Sequence, residues 1–209
     1  MRGRGAWRVP HEQKDDERRE HVEQHMVCDA RGACFVPGLQ VSLMYHRGLT
    51  FCFDCPDAHD YGTHVDVWDS HHGPVRYHVG GKLVYAVPND ARSRILNQKH
   101  VKGHVVLVDR GTVGLVAKVK HVQDAGAVGV IIVDTGVCTV DFDCGAIGKR
   151  ELGRGFAIQD GMAQWDEIYI PSVMVHKEDG ERLKSNLDLE TFEVPGLGLQ
   201  WFHREWDDD

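Results

Sequence analysis

The sequence predicts an α/β domain, mixed and β-rich, organised about a central βαβ unit with a few short helices. Residues 105–108 (Val-Val-Leu-Val) and 128–133 (Val-Gly-Val-Ile-Ile-Val) are continuous apolar runs of strand length. Between them Leu115, Val116, Val119 and Val122 recur at helical spacing, with Lys118, Lys120 and Gln123 on the other side. Upstream, alternating stretches are broken by Arg47-Gly48 and Gly80-Gly81, which read as hairpin turns. A strand, a helix and a second strand joined over this length form a parallel crossover, expected to be right-handed.

The chain opens on a charged arm, residues 1–32, dense in Arg, Lys, Asp and Glu and poor in apolar residues. A solvated helix or a disordered arm is expected there. His21 and His25 stand one helical turn apart around Glu23, but a zincin needs Glu directly after the first His. Residues 33–74 form a β-rich extension. Val41, Leu43 and Tyr45 alternate with Ser42, Met44 and His46, and a second strand follows over 49–53. Val75, Tyr77 and Val79 alternate likewise before the Gly-Gly pair, and residues 83–87 resume an apolar strand.

At the first crossover turn, Asp109-Arg110-Gly111-Thr112 ends the strand with turn chemistry, and Thr112 is placed to cap the helix. Gly126 is expected at the helix end in the left-handed conformation. A long Gly- and Asp-rich loop runs over 134–166. Strand character returns at 168–175, where Pro171 suits an edge or strand start. A short helix over 178–187 and an alternating strand over 189–194 follow, and the aromatic and acidic tail 195–209 carries Trp201, Phe202 and Trp206. These aromatics either fold back on the domain or form a patch for a partner.

The block 105–111, with Lys118, Gln123-Asp124-Ala125-Gly126-Ala127 and Val130 to Val133, resembles the protease-associated (PA) domain family. Ile170-Pro171-Ser172-Val173, Glu178-Asp179-Gly180 with Leu183, and 81–88 with Asn89-Asp90-Ala91 extend the likeness over about residues 75–190. The PA-like domain is accordingly drawn over 75–194. The family often carries a cysteine pair where this sequence has Arg92 and Val113, so that bridge is missing here. The resemblance implies a non-catalytic module that binds protein or peptide. In the family such modules serve substrate access or cargo recognition in proteases, sorting receptors and ubiquitin ligases. It also implies a lumenal or secreted home, whereas no signal peptide is visible at the N-terminus.

Bulk composition agrees with a globular domain: 42% hydrophobic and 27% charged residues. Net charge is 24 − 32 = −8, which speaks against a nucleic-acid partner. No apolar run reaches the length of a membrane span.

Candidate chemistry is sparse. Nucleophile elbow, zincin and Walker A patterns are missing, and none of the serines at 42, 70, 93, 172 and 185 has a nucleophile's surroundings. The rival to a binding module is a zinc-dependent protein, structural or hydrolytic, centred on Cys52, Cys55, His59 and His64. Two thiolates and two imidazoles suffice for a tetrahedral Zn²⁺. His71 and His72 follow, and Cys28 with Cys34 would make an alternative four-thiolate set. Structural cysteines or a disulfide are the other reading of Cys52 and Cys55; a thioredoxin-like role lacks the helix that such a pair opens. No metal or other cofactor is expected in the binding-module reading. Cys138 and Cys144, close together in the long loop, are expected to bridge in an oxidising compartment. Arg110 is expected to pair locally or brace its turn, since a dinucleotide site would need a fuller glycine fingerprint. Asp109 and Asp134 are read as solvated strand ends, with cation binding as the alternative.

Overall fold

The computed structural model describes residues 27–28, 34–35, 38–45, 47–55, 62–70, 72–74, 76–136, 154–156 and 165–204. A two-residue pair, β1 (Val27–Cys28) and β2 (Cys34–Phe35), sets Cys28 opposite Cys34 in antiparallel register. Among the described residues the main sheet has nine strands. These are β3 (Leu39–Met44), β4 (Gly48–Phe53), β5 (Thr63–Val65), β6 (Trp68–Ser70), β7 (His78–Tyr85), β8 (Val105–Asp109), β9 (Gly129–Val133), β10 (Arg154–Phe156) and β11 (Ser172–Val175). Their order is β10-β6-β11-β9-β8-β7-β3-β4-β5. The centre, β7, β8, β9 and β11, is parallel, and antiparallel strands flank it on each side.

Helix α1 (Gln98–Val101) lies between β7 and β8, α2 (Leu115–Asp124) joins β8 to β9, and α3 (Lys177–Ser185) follows β11. Alternation along the central strands divides the core into two layers. Val84, Val106, Val108, Val130 and Ile132 pack with Val116, Val119 and Val122 of α2. On the opposite face Leu83, Tyr85, Val105, Leu107, Ile131 and Val133 meet Leu39, Leu43 and Leu49 together with Leu183 of α3. Such full burial on both faces explains why β8 and β9 are continuous apolar runs. Each buried aliphatic side chain contributes roughly 1.5–3 kcal/mol relative to exposure.

The βαβ unit forms as its pattern predicts, and β3 and β4 form the expected hairpin. Gly126 has φ of +89°. The amide of Gly126 donates to Gln123 O and that of Ala127 to Val122 O, so the helix ends in a Schellman turn. Other expectations are corrected. Gly80-Gly81 is not a turn: β7 runs straight through it, because its first half pairs with β3 and its second half with β8. Thr112 does not cap α2; Gly114 holds that position, and Thr112 Oγ1 donates instead to Asp90 Oδ2 at 2.8 Å. Lys118 and Gln123 are buried rather than solvated.

Strand β11 starts after Pro171, which lies just outside it, and residues 165–167 form a 3-10 turn. The stretch drawn as a tail from 195 contains a further strand. β12 (Leu189–Val194) and β13 (Gly198–His203) pair along their whole length as a separate hairpin. The boundary drawn between 74 and 75 falls inside one continuous sheet. Of the charged arm drawn over 1–32 all but residues 27–28 lie outside the described residues, as do His59, His71, Cys138, Cys144 and Trp206. No helix among the described residues is long and apolar enough to cross a membrane.

Candidate functional site

The parallel strands end on one side of the sheet, where their connections diverge. In open α/β sheets a crevice outside the carboxyl ends of the strands is the usual place for a ligand. Here a cavity of about 450 Å³ lies between the loop after β7, the ends of β8 and β9, α3 and the hairpin strand β13.

Its floor is acidic in sequence and neutralised in structure. Asp109, the last residue of β8, accepts from the Tyr85 hydroxyl on Oδ2 and pairs with Lys184 Nζ at 2.8 Å on Oδ1. Lys184 also reaches Glu181 at 3.0 Å, one turn back on α3. Asp134, directly after β9, is buried; Arg110 pairs with its Oδ1 at 2.8 Å, and the Gly136 amide donates to Oδ2 at 2.7 Å. Asp90 takes Arg92 at 2.9 Å on Oδ1 and Thr112 on Oδ2, while Lys118 Nζ donates to its backbone carbonyl. Each of the three carboxylates thus has both oxygens engaged by the chain itself.

The proton affinities follow from these contacts. Burial, reinforced by the Asp109 charge, pushes the Tyr85 hydroxyl far above its ordinary value, so it stays a donor. For Asp90, burial pushes upward, but hydrogen bonds from Arg92 and Thr112 and the Lys118 charge outweigh it and hold the carboxyl low. For Lys184, burial pushes downward, and Asp109 and Glu181 outweigh it and hold the ammonium above its usual range. These pairs hold the charges in fixed positions along the cavity floor.

Arg110 is paired, though not within its own turn: its partner Asp134 follows the neighbouring strand β9, 24 residues on. Asp109 and Asp134 are not solvated strand ends: both are engaged by basic groups from elsewhere in the chain. Gly111 sits beside the Asp90 side chain on the same rim. Sequence reasoning missed Tyr85, Lys184 and Glu181. Asp109, Arg110, Asp134 and Trp201 had been singled out one by one, and the Asn89-Asp90-Ala91 loop by family likeness, but nothing had brought them together.

The cavity's outer rim is different in character. Leu199 and Trp201 of β13 are 68% and 48% exposed, and Lys177, also exposed, has no ion pair among the described residues. Side chains dock this hairpin to the strand ends. The Asn89 amide donates to Gln200 Oε1 at 2.8 Å, and the Tyr85 amide donates to His203 Nε2 at 2.9 Å.

The cysteine candidates lie elsewhere. Cys52 and Cys55, at the end of β4, are joined to each other by a disulfide. Asp54 between them has φ of +49°, and its Oδ1 accepts the Gly38 amide at 2.7 Å. His64 on β5 is beside Asp66 at 3.4 Å, both exposed. His72 is buried, with its ring 6.4 Å from that of Trp165. Among the described residues no three His, Cys, Asp or Glu side chains are grouped to hold a metal.

Among solved structures the chain is similar to BSAP, a zinc aminopeptidase from Bacillus subtilis, at 20% identity and a TM-score of 0.35. That likeness covers 71% of this chain and only 28% of the enzyme. No curated protein matches the sequence. The sequence profile of the PA domain matches residues 79–183, from the second residue of β7 into α3 and hence half of the 209 residues. The chain belongs to the PA domain family.

Proposed function

We propose that this chain is a non-catalytic protein- or peptide-binding module, and that the cavity at the carboxyl ends of the parallel strands is where a partner segment docks. One contrast carries the reading. The cavity's carboxylates are consumed in internal pairs, whereas Leu199 and Trp201 stand exposed on its rim. Exposed aromatic and aliphatic anchors over a rigid polar floor suit recognition of a side chain. Acid–base chemistry needs a group free to exchange its proton at the reaction, and the paired floor offers none. Substrate access or cargo recognition is the role that such a module would serve.

A zinc-dependent reading requires the Cys52 and Cys55 thiolates, which the disulfide occupies. Disulfides persist in oxidising compartments, so the same bridge supports a lumenal or secreted location. In that location Cys138 and Cys144 would bridge as well.

The test is selection of peptides from a displayed random library on the immobilised chain, alongside incubation with fluorogenic peptide and ester substrates. A common sequence pattern among recovered peptides, with no turnover, is expected. Recovery of no pattern would contradict the binding role. Turnover that a point change in this chain abolishes would contradict the non-catalytic one.

A further inference from the structure

We propose that a second surface, the apolar groove between α1 and the β12–β13 hairpin, docks a partner-protein segment bearing an aliphatic or aromatic side chain next to acidic residues. The groove encloses about 350 Å³. Val87, Leu96, Phe192, Val194 and Phe202 form its apolar walls. Two of them are open to solvent: Leu96 is 59% exposed and Phe192 is 37% exposed. Large apolar groups facing one another across an open groove mark a contact surface more than isolated ones do.

The walls are held in place before any partner arrives. The Val87 amide donates to Asn97 Oδ1, and Asn97 Nδ2 donates to the Tyr85 carbonyl, both at 2.9 Å, which ties the start of α1 to the end of β7. Across the groove Phe192 meets Phe202 edge to face, with ring centroids 5.6 Å apart. A surface fixed in this way loses little side-chain freedom on binding.

Charge selects the partner. Lys99 and His100 form the polar rim, and no Asp or Glu lines the groove. Lys99 is exposed and has no ion pair among the described residues. This basic edge sits on a chain of net charge −8. An acidic partner segment therefore gains at the rim what it would lose elsewhere on the surface. Pairing of the groove with itself in a second copy is disfavoured by charge, because its lining holds no carboxylate to meet Lys99 and His100 of the other copy.

This surface lies on the other side of the hairpin from Leu199 and Trp201, so it stands or falls independently of the proposed cleft. The experiment is fluorescence anisotropy on the full chain with two labelled peptides, Asp-Asp-Leu-Phe-Asp-Asp and Lys-Lys-Leu-Phe-Lys-Lys. Saturable binding of the acidic peptide, weakened by salt, is expected, with no binding of the basic one. Leu96→Ser should weaken it by roughly fivefold or more, the loss usual for an interface anchor. Lys99→Glu should weaken the acidic peptide and admit the basic one, while Tyr169→Ser, an exposed aromatic outside the groove, should change neither. Both substituted groove side chains are exposed, so the variants should fold, which circular dichroism checks. Equal binding of the two peptides, no saturable binding, or indifference to Leu96→Ser would overturn the proposal. So would a dimer seen by sedimentation and dispersed by Leu96→Ser, which would give the groove to a second copy.

Discussion

The carboxamide of Asn89 closes both backbone hydrogen bonds of Trp201: Oδ1 accepts its amide at 2.7 Å, and Nδ2 donates to its carbonyl at 2.9 Å. A side chain thus stands in for a neighbouring strand, and it fixes the rim of the cleft from a loop more than a hundred residues away. Asn89→Ala should cost about 1–3 kcal/mol, the range for leaving part-buried polar groups unpaired. Urea denaturation measures it, and hydrogen exchange should show faster loss of protection at Trp201 than at Val106. An unchanged midpoint would mean that the hairpin docks by other contacts.

Gly180 lies inside α3, where helix propensity alone favours alanine by about 1 kcal/mol. The packing reverses that sign. A Cβ there would stand 2.0 Å from Val133 Cγ1, so α3 must move off β9. Gly180→Ala should destabilise by about 1–3 kcal/mol, the usual cost of overpacking. Thermal melting of this variant and of Gly180→Ala with Val133→Ala is the check. The double variant should lose less than the sum of the two single ones, and strict additivity would contradict the contact.

At the end of α2 a β-branched residue meets both obstacles at once. Gly126 has φ of +89°, and a Cβ would lie 3.1 Å from Lys102 Cγ. Gly126→Val should destabilise by about 1–2 kcal/mol, and Gly126→Asn by less, because asparagine tolerates the left-handed region. The difference in melting temperature between the two variants reads the backbone contribution.

His203 makes the hairpin sensitive to acid. Its Nε2 accepts the Tyr85 amide and so must be unprotonated. Burial, with the nearby positive charges of Lys82 and His100, holds its pKa down at about 3, against an ordinary 6.5. In the unfolded chain the ring takes up a proton below 6.5, while in the folded chain it does not until about 3. Its contribution is therefore complete above pH 6.5 and is lost as pH falls from there towards 3, by at most about 1.4 kcal/mol per pH unit. His104, also lowered by burial and by Lys82, acts in the same direction. Stability measured in urea between pH 7 and 5 should fall less steeply in His203→Gln, whose amide oxygen still accepts but does not titrate. Equal slopes would contradict the assignment.

Much of the scaffold was legible because the central strands are buried on both faces and read as unbroken apolar runs. Residues 105–108 and 128–133 needed no context to be assigned. Gly80-Gly81 misled because a glycine pair signals a turn locally, whereas here the strand exchanges one partner for another, which only the sheet reveals. Lys118 and Gln123 misled for a related reason. A helical pattern sends polar residues outward, but Gln123 Oε1 accepts the Tyr169 amide and its Nε2 donates to Glu167 O, both at 2.8 Å, binding the segment before β11. The cleft was the least legible part. Its pairs join Asp109 to Lys184 and Arg110 to Asp134, and nothing local to any of these residues announces the other.

Calorimetric titration of a library-selected peptide into the chain and into its Trp201→Ala variant asks whether the cleft binds without catalysing. Saturable binding to the chain is expected, about tenfold or more weaker in the variant, with the peptide intact afterwards. Undiminished affinity in the variant, or a peptide cut by the chain itself, would contradict it.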